Sequence, residues 1–133
     1  MENCIFCKII NGELQSYKVL EDENTLSFLD MRPVSAYHTL VVPKLHYENM
    51  FDVPEFVLAD IMHMVKMVLR LYNEKLGISN VQLFNNSGKA ANQSVFHLHY
   101  HIIPRNEGDN AHLAIQFHPE LVEKYDSMLA KLK

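Results

Sequence analysis

Residues 97–103 read His-Leu-His-Tyr-His-Ile-Ile, and this run constrains the chain more than any other segment. Alternation with a period of two belongs to a strand, where residues i, i+2 and i+4 share a face roughly 7 Å apart. His97, His99 and His101 are therefore expected on one face, with Leu98, Tyr100 and Ile102 on the other, free to pack on a core. Pro104 stops the strand. A buried histidine must be desolvated and hydrogen-bonded, so three on one face are poorly explained by packing alone. The pattern admits two chemistries. Neutral imidazole is a competent nucleophile or proton carrier near pH 7. Three histidines also suit an open, catalytic zinc site.

The remaining elements are read around that strand. Cys4 to Asn11 fits a short helix closed by Gly12. Tyr17–Leu20 and Thr25–Leu29 read as two strands of a hairpin with the polar turn Glu21-Asp22-Glu23-Asn24 between them. His38–Val42 is a third strand ended by Pro43, and Val81–Phe84 a fourth. Pro54 suits a helix start, where its missing N–H is not needed. Val57, Ile61, Met64, Val65, Val68, Leu69 and Tyr72 follow at helical spacing until Gly77. From Pro119 the spacing of Leu121, Val122, Tyr125, Met128, Leu129 and Leu132 predicts a terminal helix. The expected fold is α+β: a five-stranded antiparallel sheet, one long helix and a C-terminal helix, in a single domain over residues 1–133.

Composition excludes some partners. The formal net charge is −4 with no basic block, which argues against a nucleic-acid polymer. No apolar stretch is long enough to cross a bilayer, and the start of the chain lacks a signal-peptide pattern. The expected location is cytoplasmic, where a Cys-x-x-Cys pair such as Cys4 and Cys7 points to metal ligation or redox chemistry more than to a structural disulfide. Upstream of the histidines, Asn86-Ser87-Gly88-Lys89-Ala90-Ala91-Asn92-Gln93-Ser94 is a small-residue polar loop. Its backbone amides and side chains can hold phosphate oxygens without a cationic cluster.

These residues resemble the histidine triad (HIT) family, whose signature His-φ-His-φ-His-φ-φ (φ apolar) stands here as residues 97–103. The resemblance extends to Cys4-Ile5-Phe6-Cys7-Lys8-Ile9-Ile10-Asn11-Gly12-Glu13, Phe28-Leu29-Asp30, His38-Thr39-Leu40-Val41-Val42-Pro43-Lys44 and Gln93-Ser94-Val95-Phe96. It implies a nucleotide hydrolase or transferase that cleaves a nucleoside monophosphate from a phosphoramidate, or a related α-phosphate ester or anhydride, through a nucleotidyl-histidine. His99 would be the nucleophile, with His101 and His38 its partners in orientation and proton handling. Asn86, Gln93 and Ser94 would contact the phosphate and leaving group, with His97 beside them. Asp30 would take the ribose hydroxyls, and Phe28 and Leu29 would wall the base, for a purine nucleotide or its conjugate. The Cys-x-x-Cys start is typical of bacterial Hint-like members, where the matching positions imply a structural zinc held by Cys4, Cys7, His46 and His97. Ile103-Pro104-Arg105 resembles the branch that splits diadenosine polyphosphates. A nucleotide-binding regulatory module with little turnover is the competing class. Two positions depart from the family, which tends to have glycine where this chain has Tyr37 and Asn92. Asn tolerates left-handed backbone. Met62, Met67 and Leu71 lie outside the apolar face led by Val57 and Ile61, and with the family's habit they imply a homodimer built around the long helix. His63, His112 and His118 match no motif and are expected at the surface or in packing roles.

Overall fold

Alternating strands cover two faces of one sheet, and each face finds its own apolar cover. The computed structural model describes residues 3–133. The strands are β1 (Lys18–Glu21), β2 (Thr25–Leu29), β3 (Thr39–Pro43), β4 (Val81–Phe84) and β5 (Tyr100–Pro104). They form an antiparallel sheet in the order β1-β2-β3-β5-β4. The long helix α2 (Glu55–Leu76) packs Val57, Ile61, Met64, Val65, Val68 and Tyr72 against Val41, Leu98 and Ile102 on one face. The short helix α1 (Ile5–Ile10) brings Phe6 and Cys7 to the other, against Leu26, Phe28, Leu40 and Val42. α2 ends as its sequence dictates: Gly77 takes a left-handed φ of 69° and its N–H bonds the Asn73 carbonyl, while Ile78 N–H reaches back to Tyr72.

Three expectations need correction. β5 begins at Tyr100, so His97, Leu98 and His99 precede the paired strand. The ladder with β3 ends at the Val41–Tyr100 pair, and Pro43 further along has no N–H to extend it. Other groups do the holding: Leu98 N–H donates to the Tyr47 carbonyl at 2.7 Å, and the Asn85 side-chain amide donates to the His99 carbonyl at 2.8 Å. The face alternation persists all the same, since Leu98 and Ile102 are buried on the α2 side with Tyr100 packed against them. The C-terminal segment starts as a 3-10 helix, Pro119–Lys124, and becomes α3 only over Tyr125–Ala130. Its apolar side chains, Leu121, Val122, Tyr125, Met128, Leu129 and Leu132, are all exposed. The third strand starts at Thr39, leaving His38 at its threshold with its carbonyl taking the Asp30 N–H.

Candidate active site and metal centre

Hydrogen bonds to the backbone fix which nitrogen of each histidine carries a proton. His99, 3% exposed, places Nδ1 at 2.7 Å from the His97 carbonyl oxygen. A carbonyl only accepts, so Nδ1 holds the proton and Nε2 presents a bare lone pair. His97, fully buried, donates from Nε2 to the Pro43 carbonyl at 2.9 Å, which leaves its Nδ1 bare. At His38 the logic runs the other way. The Val34 N–H donates to His38 Nδ1 at 3.0 Å, so the proton sits on Nε2 and points to His101 Nδ1, 2.9 Å away. His101 then carries its proton on Nε2. The result is one unprotonated nucleophilic nitrogen, on His99, beside one N–H donor, on His101, with the two rings 5.1 Å apart.

Burial keeps these rings neutral. Desolvation pushes His99 below the ordinary imidazole range, against the opposing pull of the His97 carbonyl and Asp30. It pushes His38 down as well, partly offset by Asp30. His101 falls to about 4, from burial first and then from repulsion by His99 and His38. Phe84 stacks on the His101 ring at 4.7 Å and 20°. Asp30 lies 3.4 Å from His38 Nε2, and its other oxygen accepts the Arg32 N–H at 2.8 Å.

Two groups of side chains converge closely enough to hold a metal: Cys4, Cys7, His46 and His97, and Asp30, His38 and His101. The proton positions separate them. In the first group the bare His97 Nδ1 lies 3.3 Å from Cys4 Sγ, 3.5 Å from Cys7 Sγ and 3.1 Å from His46 Nδ1, and Cys7 Sγ lies 3.4 Å from His46 Nδ1. Such spacings suit four donors around a tetrahedral ion with bonds of roughly 2.0–2.3 Å. The outward His97 N–H bonded to a carbonyl is the usual support of a metal-bound imidazole. Burial and the neighbouring Cys4 raise the Cys7 thiol, so two adjacent thiolates call for a cation to balance them. In the second group His38 must accept from Val34 at Nδ1, which keeps the proton on the nitrogen a metal would need. That group is a hydrogen-bonded chain running from the Val34 N–H through His38 to His101.

The loop expected to cradle phosphate is fastened to the segment that follows β3. Gln93, 5% exposed, accepts the Gly88 N–H at 2.7 Å and donates to the carbonyls of Glu48 and Val95 at 2.7 and 3.1 Å. Its side chain is thus spent inside the protein, and it acts on any ligand through the loop it closes. Ser94 stands exposed at the loop's end, and Asn86, at its start, is half-buried. Tyr37 and Asn92 both adopt left-handed backbone, with φ of 66° and 67°, the conformation that glycine favours. Phe28 is buried edge-on to Phe6. Leu29 pairs with Thr39, whose hydroxyl contacts Tyr72 of α2, so Leu29 lies on the α2 side, away from Phe28. His63, His112 and His118 are exposed.

Some residues of the site went unread in the sequence. Asn85, one step beyond the Phe84–His101 pair, holds the His99 carbonyl, and Val34 sets the His38 tautomer. Phe6 touches both His97 and His99 edge-on, at 5.8 and 5.1 Å. Its position between the two cysteines was the available signal. Arg105 is occupied by Asp109, Gln82 and the Ala111 carbonyl, so it braces the loop after β5, while Ile103 and Pro104 belong to the strand itself.

Residues 11–108 match the sequence model of the HIT domain. The chain is 41% identical to the Bacillus subtilis protein hit over an alignment of 136 residues, spanning 98% of this chain and 94% of that one. It is 38% identical over 111 residues to an adenosine 5'-monophosphoramidase of Candida albicans, spanning 79% of this chain and 72% of that one. The crystal structure of a HIT family member from Bacillus subtilis superposes with a TM-score of 0.82 at 41% identity, covering 97% of this chain and 96% of the other. A zinc-bound histidine triad family protein from Mycobacterium smegmatis superposes with a TM-score of 0.78 at 33% identity, covering 99% of each.

Proposed function

The chain belongs to the histidine triad family, and from that premise we propose that it hydrolyses nucleoside phosphoramidates, releasing a nucleoside monophosphate and an amine through a nucleotidyl-His99 intermediate. The Candida albicans phosphoramidase supports nucleotide hydrolysis as the class of reaction. The observation that carries the mechanism is the bond from His99 Nδ1–H to the His97 carbonyl, which leaves Nε2 as the free nucleophile. His99 Nε2 attacks phosphorus and the bond from phosphorus to the substrate nitrogen breaks. His101 Nε2–H, backed by His38, donates to the reacting group. The amine leaves with a proton taken up from solvent on binding, because the fixed tautomers leave no spare proton on His38. Water then attacks phosphorus, the bond to His99 breaks, and a proton returns to solvent. Splitting one displacement into two is the gain from a covalent intermediate. Asp30 binds the ribose hydroxyls, Phe28 with Phe6 supports the base, and Asn86, Ser94 and the loop amides hold phosphate oxygens.

Cys4, Cys7, His46 and His97 would hold one zinc per chain. With four protein ligands it would leave no open position for substrate and would serve to tie α1 to the segment before β5. A second copy covers the exposed flank of α2 at Met62 and Met67, the outer edge of β4 and the apolar C-terminal segment. Among the described residues no helix is long and apolar enough to cross a membrane.

The test is rapid-quench mass spectrometry with an adenosine phosphoramidate. A nucleotide mass on the peptide containing His99, and loss of turnover in His99→Ala with nucleotide binding retained, are the expected results. Turnover by His99→Ala near the wild-type rate would overturn the nucleophile assignment. Light scattering at micromolar concentration should give twice the chain mass, and a monomer mass would refute the dimer.

A further inference from the structure

We propose that Cys4 and Cys7 form a hydroperoxide-sensitive switch that expels the metal and, by doing so, slackens the catalytic nucleophile. The proposal rests on the metal assignment above and extends it from structure to regulation. Three separate features carry it.

The first is the pairing of the sulfurs. Both cysteines are free thiols, one helical turn apart, with Cys4 as the cap of α1 and its Sγ accepting the Cys7 N–H at 3.3 Å. The four ligand atoms lie within 4.8 Å of one another, so the two sulfurs are neighbours with a gap to close to a disulfide bond of about 2.05 Å. The second is access. Cys4 and Cys7 are each 8% exposed, but they are not equivalent. A cavity of about 910 Å³ is lined by Cys4, His46, Ser94 and Val95, and Cys7 does not line it. Cys4 is therefore the cysteine that borders a space open to a small oxidant. The third is the connection to the reaction. His97 would hold the metal through its bare Nδ1, which faces Cys4 Sγ, and it is also the residue whose carbonyl fixes the His99 tautomer. Phe6, between the two cysteines on α1, lies edge-on to both histidines. Release of the metal is transmitted to His99 through one residue of backbone and one aromatic ring.

The chemistry balances with a hydroperoxide as oxidant. The Cys4 thiolate attacks the outer peroxide oxygen, the O–O bond breaks, and the alkoxide leaves as an alcohol after protonation. Cys4 is then a sulfenic acid. The Cys7 thiolate attacks that sulfur, forming the disulfide, and hydroxide leaves as water after protonation. Two thiolates lose two electrons, the peroxide gains two with two protons, and zinc departs because two of its four ligands are gone. A dithiol reductant with added zinc reverses the change.

The experiment treats the zinc-loaded full-length protein with graded tert-butyl hydroperoxide. Released zinc is followed with a chromophoric chelator, and the peptide carrying both cysteines is weighed. We expect one zinc released per disulfide formed, seen as a loss of two mass units on that peptide. Phosphoramidase activity should fall in step by on the order of tenfold, the scale typical of lost support around a metal ligand, and recover with dithiothreitol and zinc. Cys4→Asp, which keeps a metal-binding side chain without an oxidisable sulfur, should retain zinc under the same treatment. Should that variant fail to load zinc, trapping of a sulfenic acid on Cys4 and not on Cys7 of the wild-type protein at short times tests the same order of attack. Zinc release without a disulfide, a disulfide with zinc retained, or full activity after complete release would each overturn the proposal. The zinc and mass readouts need no substrate, so a protein inactive on phosphoramidates would refute the function above and leave the switch tested by them.

Discussion

The depressed proton affinity of His101 makes a prediction about stability that the His101→Gln variant isolates. Folding holds His101 near a pKa of about 4, against about 6.5 in the unfolded chain. The unfolded state therefore binds the extra proton first as pH falls. The stability this residue contributes is complete above pH 6.5 and is lost as pH falls toward 4. Linkage between those two pKa values gives about 2.5 kcal/mol between pH 7 and pH 4.5, using the folded value of about 4. His101 is partly exposed, and discounting for solvent screening leaves about 1.5–2 kcal/mol. The groups facing it are His38 and His99, which lower its proton affinity further, and Asp30, which raises it. Urea unfolding at pH 7 and pH 4.5, followed by far-UV circular dichroism, should show wild type losing that much more stability than His101→Gln. The metal ligands titrate alike in both proteins and cancel in the comparison. Parallel losses in the two proteins would mean that the His101 ring is not held neutral by its surroundings, and the tautomer that His38 assigns to it would fall with it.

Gln93→Ala removes the bonds its side chain accepts from the Gly88 and Asn49 N–H groups and those it donates to the Glu48 and Val95 carbonyls. It should cost about 2–4 kcal/mol in urea unfolding and raise KM for the nucleotide as the loop loosens, and an unchanged unfolding midpoint would contradict the account of its side chain. Tyr37→Gly relieves a left-handed backbone worth about 1–2 kcal/mol but loses the edge-on contact with Tyr72 at 5.4 Å, itself worth about 0.5–1.5 kcal/mol. The net change in thermal stability should be within about 1 kcal/mol, and a larger loss would mean the ring is the stronger of the two. Removing metal with a tight chelator should lower Tm by more than ten degrees, since a structural zinc site contributes on the order of 10 kcal/mol in small zinc peptides, and an unchanged Tm would refute a structural role.

How much was legible follows from which interactions are local. The alternation at 97–103 set the faces correctly, and Leu98 and Ile102 went to the core as a period of two requires. The helical spacing from Val57 to Tyr72 and the stop at Gly77 were equally readable, because a helix closes its own hydrogen bonds. The pairing of residues 97–99 was not legible. Whether a strand residue finds a ladder partner depends on the neighbouring strand, and here that strand reaches a proline. The Asn85 amide and the Tyr47 carbonyl take over, and neither advertises the role in sequence. The left-handed backbone at Asn92 had a cue in its residue type, whereas Tyr37 had none beyond standing where the family tends to have glycine. The C-terminal apolar spacing announced a helix correctly over Tyr125–Ala130, but spacing alone carries no information about what covers it.

The same distinction explains the division of labour among the histidines. A strand face offers His97, His99 and His101 as equivalents, yet they end in different roles because each meets a different backbone group. His97 meets the Pro43 carbonyl, 54 residues away in sequence, and turns a bare nitrogen to the thiols. His99 meets the carbonyl of His97 and keeps its other nitrogen bare. His38 meets an N–H, at Val34, and so becomes the donor that fixes His101. A carboxylate in place of the carbonyl at His99 would orient the ring as well, but its charge would raise the imidazole's proton affinity and cost nucleophile at neutral pH. A neutral carbonyl orients the ring while burial still wins, and the His99 pKa stays below the ordinary range. The nearby carboxylate, Asp30, is instead closest to His38 and has one oxygen committed to the Arg32 N–H. Charge is thereby kept off the hydrogen bond of the proposed nucleophile, and the His99 lone pair is available without a base to uncover it.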